Sequence, residues 1–270
     1  MPNAKIDDPQ YVEKQYQDAS NLKTRLDLHQ RFSVNQYGWQ RWVFDQFDLP
    51  PACRILELGC GAGTLWLENL ERVPAGWEII LSDFSAGMVD EASRNLGKHA
   101  QIQFKVIDAQ SIPLESEIFD AVIANHMLYH VPDKSAALAE IWRVLKPAGR
   151  FYASTGEKRH LGEIASLLSK FDPELSFWGN RTDSFLLENG EVQLSEWFTG
   201  IRLARYEDAL EVTDATALVD YILSGRVDIP AERLPRFREF VAHEVEAHGG
   251  VFHITKDSGL FVSVRKEKLE

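Results

Sequence analysis

Short apolar runs alternate with longer amphipathic stretches through the middle of this 270-residue chain, and this alternation limits the folds available to it. Each run has the length of a buried strand, and each gap is long enough for the crossover that parallel strands require. We therefore predict an α/β fold built on a doubly wound, mostly parallel sheet. The runs are Arg54–Leu58, Glu78–Ser82, Ile102–Ile107, Phe119–Ala124 and Arg150–Thr155.

The flanking regions have a different character. Pro9 to about Phe47 is helical in pattern, and Pro50 ends it. Further helices are predicted at Ser135–Leu145, Leu161–Phe171, Phe185–Phe198 (interrupted by Asn189-Gly190), Asp214–Ser224 and Leu234–Ala247. Strands are predicted at Ile201–Val212, Val251–Thr255 and Leu260–Val264, the last two joined by a tight turn at Lys256–Gly259. The sheet is therefore expected to finish with an antiparallel edge strand.

The charge balance excludes some classes of partner. A formal net charge of −12 is the wrong sign for a chain that neutralises nucleic-acid phosphates or lies on anionic lipid. Cys53 and Cys60 form neither a disulfide framework nor a metal knuckle, which suits a reducing compartment. No apolar run approaches the roughly 18 residues of a membrane-spanning helix. We expect a cytoplasmic monomer or homodimer with no nucleic-acid or membrane partner.

A glycine-rich loop is the most informative local feature. Gly59, Gly61 and Gly63 directly follow the first strand and open the helical run Thr64–Leu70. Glycines allow a sharp turn and close approach of a ligand, and the helix start offers unpaired N–H groups. Asp83 ends the next strand, where a carboxylate can accept hydrogen bonds from two ribose hydroxyls. A nucleoside-containing ligand is predicted; the alternative is a purely structural strand-to-helix turn.

Two details discriminate between nucleoside cofactors. The spacing is G-x-G-x-G, and Thr64 breaks the G-x-G-x-x-G pattern of dinucleotide-binding folds. Glu57, two residues before the first glycine, would repel a pyrophosphate but suits a cationic amine. Here the sequence resembles the class I S-adenosylmethionine-dependent methyltransferases, whose motif is an acidic residue followed by G-x-G-x-G. The resemblance implies a seven-stranded sheet and covers about Arg54 to Thr155.

The resemblance also implies roles for individual residues. Asp83 would hold the ribose hydroxyls, Phe84 would pack on the adenine, and Asp108 would accept from the adenine amino group beside the Ala109 N–H. The segment Asn125–Pro132 would pass the methionine part of the cofactor and face the substrate. The implied cofactor contacts are Glu57, Gly59, Cys60, Gly61, Asp83, Phe84, Met88, Asp108, Ala109 and Asn125. The cofactor would be S-adenosyl-L-methionine, converted to S-adenosyl-L-homocysteine.

The regions outside the motifs are expected to cover the site. Residues 1–50 would form a helical lid of the same domain, and residues 51–270 the methyltransferase domain, with a substrate-lid insertion at about 160–200. Arg25 and Arg31 can pair with the cofactor carboxylate or belong to a solvated helix face. Tyr16, Tyr129 and Trp178 are candidate substrate contacts; the alternative is that such aromatics fill cores.

Two histidines follow the fourth strand. His126 or His130 could take a proton from an acceptor hydroxyl or amine, or form a pocket wall. Their spacing of four also suits a metal pair on a helix, but Pro132 argues against a helix, and no metal is expected.

The sequence thus predicts an S-adenosylmethionine-dependent methyltransferase of a small-molecule acceptor. The alternatives are a regulatory protein that binds the cofactor without turnover and, less favoured, an NAD-dependent oxidoreductase.

Overall fold

The sheet has seven strands within the part of the chain that the structure describes, in the order β3-β2-β1-β4-β5-β7-β6. The structure is a computed structural model that describes residues 7–8, 20–177, 184–225 and 227–267. The strands are β1 (Ala52–Leu58), β2 (Gly76–Asp83), β3 (Ile102–Val106), β4 (Phe119–Asn125), β5 (Leu145–Gly156), β6 (Phe198–Val212) and β7 (Phe252–Arg265). Strands β1 to β5 are mutually parallel, whereas β7 is antiparallel to both β5 and β6. The predicted doubly wound, mostly parallel seven-stranded sheet is confirmed, with its antiparallel strand next to the edge.

Helices pack on both faces of this sheet. They are α1 (Ser20–Phe32), α2 (Trp39–Asp45), α3 (Thr64–Leu67), α4 (Ala86–Leu96), α5 (Lys134–Val144), α6 (Gly162–Phe171), α7 (Gly190–Leu194), α8 (Ala215–Leu223) and α9 (Leu234–Ala247). Side chains cap several of them: Ser85 accepts from the Met88 N–H, and Asp133 from the Ala136 N–H. The central strands carry consecutive buried residues, Ile55–Leu58 in β1 and Ala121–Ala124 in β4, because both faces of the sheet are covered there. In β1, Ile55 joins one core cluster and Leu56 the opposite one.

The order of the strands reverses between β1 and β4. Chain connections leave β1 toward β2 on one side, while β4 pairs with β1 on the other. In doubly wound folds a crevice opens at such a point, beyond the carboxyl ends of the strands. Residues that follow β1, β2 and β4 therefore lie at one edge of the sheet around this crevice.

The turn predicted at Lys256–Gly259 is wrong. These residues lie inside the single strand β7, where Lys256 pairs with Asp208 and Gly259 with Arg205 of β6. A Cβ on Gly259 would lie 2.8 Å from the Ala204 carbonyl oxygen, so this glycine serves close strand approach rather than a turn.

The interrupted helix predicted over Phe185–Phe198 is also wrong at its ends. Asn189 precedes the short helix α7, and its side chain bonds back to Leu186 and Ser184. Gly190 is required because the Phe261 ring would lie 2.4 Å from a Cβ there. The Asn-Gly pair therefore starts a helix, and Phe198 already belongs to β6.

Helices that lie outside residues 54–155 of the sequence form a second apolar core with part of β7. Residues 252–257 of β7 extend beyond the part that pairs with β5, and they pair with β6 alone. Helices α1, α6, α8 and α9 pack over this extension, burying Leu28, Ile164, Leu218 and Phe237. The expected insertion at 160–200 thus contributes α6 to the second core, and its role as a substrate lid stays a prediction.

Candidate active site

The glycine-rich loop has the tight geometry that its composition predicts. Gly59, Gly61 and Gly63 all have left-handed φ angles, of +70°, +53° and +77°. A Cβ on Gly59 would lie 2.6 Å from the Met127 Cβ, and one on Gly63 would lie 2.9 Å from the Leu96 side chain. The loop is therefore pressed against the segment after β4 on one side and against α4 on the other.

Substitution of Gly59 tests this geometry. Gly59→Ala should lower the free energy of unfolding by about 1–2 kcal/mol for the positive φ, and by roughly 1–3 kcal/mol more for the contact with Met127. The matched control is Gly249→Ala, since Gly249 has a φ of +73° and no atom within 4 Å of the position that a Cβ would occupy. Urea denaturation measures both losses; equal losses would contradict the close approach of Met127.

Asp83 lies beside this loop at the end of β2. Its carboxylate accepts from the Gly61 N–H at 3.0 Å and from the Ser85 N–H at 2.9 Å. Burial raises the pKa of the Asp83 carboxyl, and these backbone bonds oppose the rise. The next residue, Phe84, is 51% exposed although it is a large apolar side chain. A carboxylate fixed to the loop thus stands next to an uncovered ring, as contacts to a ribose and a base would require.

Glu57 is a buried acid at the end of β1. It is 1% exposed, and its Oε2 accepts a 2.6 Å hydrogen bond from the Trp66 indole N–H. Burial raises the pKa of the Glu57 carboxyl to about 8; the Trp66 bond opposes this rise and the Asp83 charge adds to it. Two acids therefore flank the same loop, which favours a ligand that brings positive charge.

The remaining predicted cofactor contacts on this half of the sheet differ in their exposure. Asp108 is partly exposed and accepts from both the backbone and the side chain of Gln110. Ala109 and Cys60 are buried, and burial raises the pKa of the Cys60 thiol. The structure does not bring Met88 to the site surface: its side chain is 0% exposed because it faces inward from the first turn of α4.

Asn125 connects the sheet to the N-terminal segment. Its Oδ1 accepts from the Ser154 hydroxyl at 2.6 Å and from the Trp39 indole N–H at 3.2 Å. Its Nδ2 donates to Gln40 Oε1 at 3.2 Å. Because this amide is engaged by α2 on two sides, it holds the predicted lid against the carboxyl ends of β4 and β5.

His126 stands at a strained corner directly after Asn125. Its φ is +54°, rare for a residue with a side chain, and its N–H donates to the Ser154 hydroxyl at 2.9 Å. The ring lies 4.9 Å from the Trp39 ring. Burial, with a smaller effect of Lys256, lowers the pKa of His126 to about 4. A base with so low a pKa accepts protons weakly, so the burial of this imidazole favours the pocket-wall interpretation for His126.

The other aromatic candidates lie partly within reach of this corner. Tyr129 packs against His130, with ring centroids 4.5 Å apart, and its ring lies 6.3 Å from that of His126. Residues 128–130 form a single 3₁₀ turn. Tyr16 and Trp178 lie outside the described residues.

Helix α1 covers the glycine loop. The Leu22 side chain would lie 3.3 Å from a Cβ on Gly61, and Lys23 forms a 2.7 Å ion pair with Glu91 on α4. Arg25 donates to the Ser224 carbonyl at 2.9 Å. Arg31 instead pairs with Asp27 and Asp214, so the structure supports the solvated-face interpretation for Arg31 rather than a contact with a cofactor carboxylate.

A second attachment of the N-terminal segment was not expected from the sequence. The Asp208 carboxylate on β6 accepts from the Ser33 hydroxyl at 2.5 Å, from the Asn35 N–H at 3.0 Å and from the Lys256 ammonium. Val34 N–H donates to the Ala209 carbonyl at 2.9 Å, adding a short extended piece to the edge of the sheet. These contacts join residues that are far apart in the chain, so no local sequence pattern predicts them.

Neither a metal site nor a membrane span is found among the described residues. Within those ranges, no group of His, Cys, Asp and Glu side chains is arranged to hold a metal ion, and both cysteines are free thiols. None of the helices that the structure describes is long and apolar enough to cross a membrane.

Comparison with known proteins agrees with this geometry. A family model described as a methyltransferase domain matches residues 56–153. The demethylmenaquinone methyltransferase of Lactobacillus johnsonii is 33% identical over 142 residues, which cover 49% of this chain and 58% of that protein. The chain thus spans little more than half the length of the curated relatives that it matches.

Solved structures show the same fold at low identity. The [4+2]-cyclase SpnF superposes with a TM-score of 0.60 at 20% identity, covering 99% of both chains. The phosphoethanolamine N-methyltransferase 2 of Haemonchus contortus, solved with S-adenosyl-L-methionine, gives 0.58 at 15% identity, covering 98% of this chain and 60% of that one. Over residues 56–153, which carry the glycine-rich loop, this chain is similar to methyltransferase domains, and its fold is the one that these solved structures share.

Proposed function

We propose that this protein transfers a methyl group from S-adenosyl-L-methionine to a small-molecule acceptor. The observation that carries the proposal is a pair of acids, the buried Glu57 and the partly exposed Asp83, on either side of a glycine loop at the point where strand order reverses. Two carboxyls suit a ligand with hydroxyl donors and positive charge, and they oppose a pyrophosphate. The family match over residues 56–153 supports the same assignment.

The described residues fit such a cofactor. A Cβ on Gly59 would overlap the Met127 side chain and one on Gly61 would lie 3.3 Å from that of Leu22, so we infer that the backbone itself forms the cradle. We assign Asp83 to the ribose hydroxyls, the exposed Phe84 ring to one face of the adenine, and Asp108 to its amino group. Glu57 faces the positive charge of the cofactor. Arg25 stays our candidate for its carboxylate.

The work left to the protein is alignment of the acceptor. S-adenosylmethionine supplies an activated methyl group when bound, so the chain needs no nucleophile of its own. Trp39 and Asn125 hold the N-terminal segment over the carboxyl ends of β4 and β5, which excludes water and restrains the acceptor. His126 and Tyr129 would line the acceptor side, where the neutral imidazole can accept a hydrogen bond.

A small acceptor fits the closed side of the crevice. Helices α1 and α2 lie over the loop and the end of β4, and the net charge of −12 opposes nucleic acid. The quinone pathway named for the relatives is not assigned to this chain, because the shared region covers about half of each chain. The two buried free thiols favour a cytoplasmic location, and a monomer or homodimer stays our expectation for the assembly.

Two measurements test the proposal. Thermal unfolding should shift upward with S-adenosylmethionine and S-adenosylhomocysteine but not with NAD, because only a bound ligand stabilises the folded state. Labelled methyl groups should then pass into a fractionated metabolite extract, with the product identified by mass. Stabilisation without transfer in any fraction would support a regulatory protein, and stabilisation by NAD alone would support an oxidoreductase.

A further inference from the structure

The adenine assigned to the crevice would meet the segment that follows β3. Phe84 and Val106 are 51% and 54% exposed although both are large apolar side chains. They lie close together, because Val106 pairs with Asp83 in the sheet. Asp108 follows two residues after Val106 and is partly exposed. An uncovered apolar surface beside a carboxylate suits a flat base that packs by one face and forms hydrogen bonds along one edge.

Two adjacent groups in this segment offer a hydrogen-bond donor and an acceptor. The Ala109 N–H donates to no acceptor within the part of the chain that the structure describes. The neighbouring Asp108 carboxylate forms no ion pair with any described residue, and the hydrogen bonds that it accepts all come from Gln110. A donor beside an acceptor complements the edge of adenine, which offers an acceptor nitrogen and an amino group.

Gln110 holds the Asp108 carboxylate from two directions. Its backbone N–H donates to Oδ1 at 2.9 Å. Its side-chain Nε2 donates to Oδ1 at 3.1 Å and to Oδ2 at 3.2 Å. Because two of these contacts fall on Oδ1 and one on Oδ2, the second oxygen keeps an acceptor lone pair for a ligand. The Gln110 amide therefore fixes the orientation of this carboxylate and favours its charged, accepting form.

The orientation of the Gln110 amide is fixed in turn by α5. Its Oε1 accepts a 3.0 Å hydrogen bond from the N–H of Asp133, the residue that caps this helix. The reversed amide would place its oxygen against the Asp108 carboxylate and its NH₂ group against the Asp133 N–H, so both contacts would become repulsive. A glutamate at position 110 could accept from Asp133 but could not donate to Asp108.

The rest of the loop after Asp108 is attached to the same helix. Arg143 on α5 donates to the Ile112 and Leu114 carbonyls, at 2.8 Å each. Glu140, three residues earlier, accepts from the Ile112 N–H at 2.8 Å and pairs with Arg143 at 2.7 Å. The start and the end of α5 thus both hold the loop, which restrains Asp108 against rearrangement toward a different base.

We propose that Gln110 is a positioning residue that sets the base selectivity of the cofactor site, by holding Asp108 as an acceptor for the adenine amino group. The proposal rests on the assignment of S-adenosylmethionine to this crevice. Hypoxanthine has a carbonyl oxygen in place of the amino group of adenine, and an N–H in place of its acceptor nitrogen. It therefore opposes both Asp108 and Ala109, and two such mismatches should lower affinity by about a hundredfold.

Calorimetry with S-adenosylhomocysteine and S-inosylhomocysteine, which differ only in the base, tests this role. The parent should bind the adenine compound about a hundredfold more tightly. Gln110→Ala frees the Asp108 carboxylate to turn, and it should reduce this preference to about tenfold or less. Gln110→Glu places a second carboxylate beside the first, so that one of them takes up a proton more readily. A protonated Asp108 donates to the carbonyl of hypoxanthine, so the preference of this variant should narrow further between pH 8 and pH 6.

Two control variants separate this role from general effects of charge and of the loop. Gln103→Glu adds the same charge at an exposed position of β3. Ser111→Ala shortens an exposed side chain in the same loop as Gln110. Both should keep the parental preference at pH 6 and at pH 8. Circular dichroism of each variant verifies that the fold is retained.

The outcomes distinguish this role from the proposed function. A parental preference in folded Gln110→Ala and Gln110→Glu proteins would overturn the role of Gln110 and leave the proposed function intact. Loss of affinity for both compounds by the same factor would also overturn it, because Gln110 would then only support the loop. Equal binding of the two compounds by the parent would show that the site does not select its base. Failure of the parent to bind S-adenosylhomocysteine would overturn the proposed function and this role together.

Discussion

Asp83→Ala is expected to abolish measurable binding of S-adenosylmethionine in calorimetry. The carboxylate is held by the Gly61 and Ser85 N–H groups, which orient its remaining lone pairs toward the crevice. Two hydrogen bonds to a charged acceptor contribute on the order of 1.5–3 kcal/mol each, so their loss weakens binding by more than about a hundredfold.

Two further variants make this result interpretable. Asp83→Asn preserves the size of the side chain and one acceptor oxygen, so it should retain the fold while still losing most of the affinity. Asp90→Ala removes an exposed carboxylate from α4 and should bind normally. Near-normal affinity in a folded Asp83→Ala protein would be incompatible with the assigned ribose contact.

Glu57→Gln is expected to raise stability while impairing function. Burial raises the pKa of Glu57 to about 8, against an ordinary value of 4.5. A raised folded-state pKa stabilises the protein fully below pH 4.5, and this contribution is lost as pH rises toward 8. At pH 7 most of this contribution to the free energy of unfolding is lost. The loss is on the order of 3 kcal/mol relative to a side chain that stays neutral. Glutamine avoids that loss and can still accept from the Trp66 N–H.

Thermal unfolding across pH measures this effect. The variant should unfold at a temperature about 5 °C or more above the parent at pH 8, and the difference should shrink as pH falls toward 4.5. In the proposed complex the cationic cofactor lowers the pKa of Glu57, so the parent should release a proton on binding at pH 7. Buffers of different ionisation enthalpy detect that proton. A variant that is no more stable than its parent, or that binds with the same proton release, contradicts the role of Glu57.

The sheet and the glycine loop were predictable from the sequence because their signals are local. A strand such as Ile102–Val106 alternates apolar and polar residues, and the loop is a set of glycines within a few positions of Glu57. Asp83 was identified for the same reason, since it lies at the end of the next strand. Each of these assignments depends on residues close to one another in the chain.

The covering segment could not be predicted in the same way. Trp39 meets Asn125 across 86 positions, and Ser33 meets Asp208 across 175. Arg31 pairs with Asp214, the residue that caps the start of α8, and the helical pattern around Arg31 does not reveal this distant partner. Gly259 does not indicate a turn, because glycine is also the residue that allows a neighbouring strand to approach closely. Packing between distant segments therefore decides what local patterns leave open.

The short extended piece at Ser33 and Val34 has a consequence for the protein outside its crevice. Strand β6 lies at the end of the sheet, where an uncovered row of N–H and C=O groups can recruit strands of other molecules. The bridge from Ser33 to Leu210 and the bond from Val34 to Ala209 occupy part of that row. The segment that lies over the crevice thereby also covers part of the edge at which the sheet could pair with a strand of another molecule.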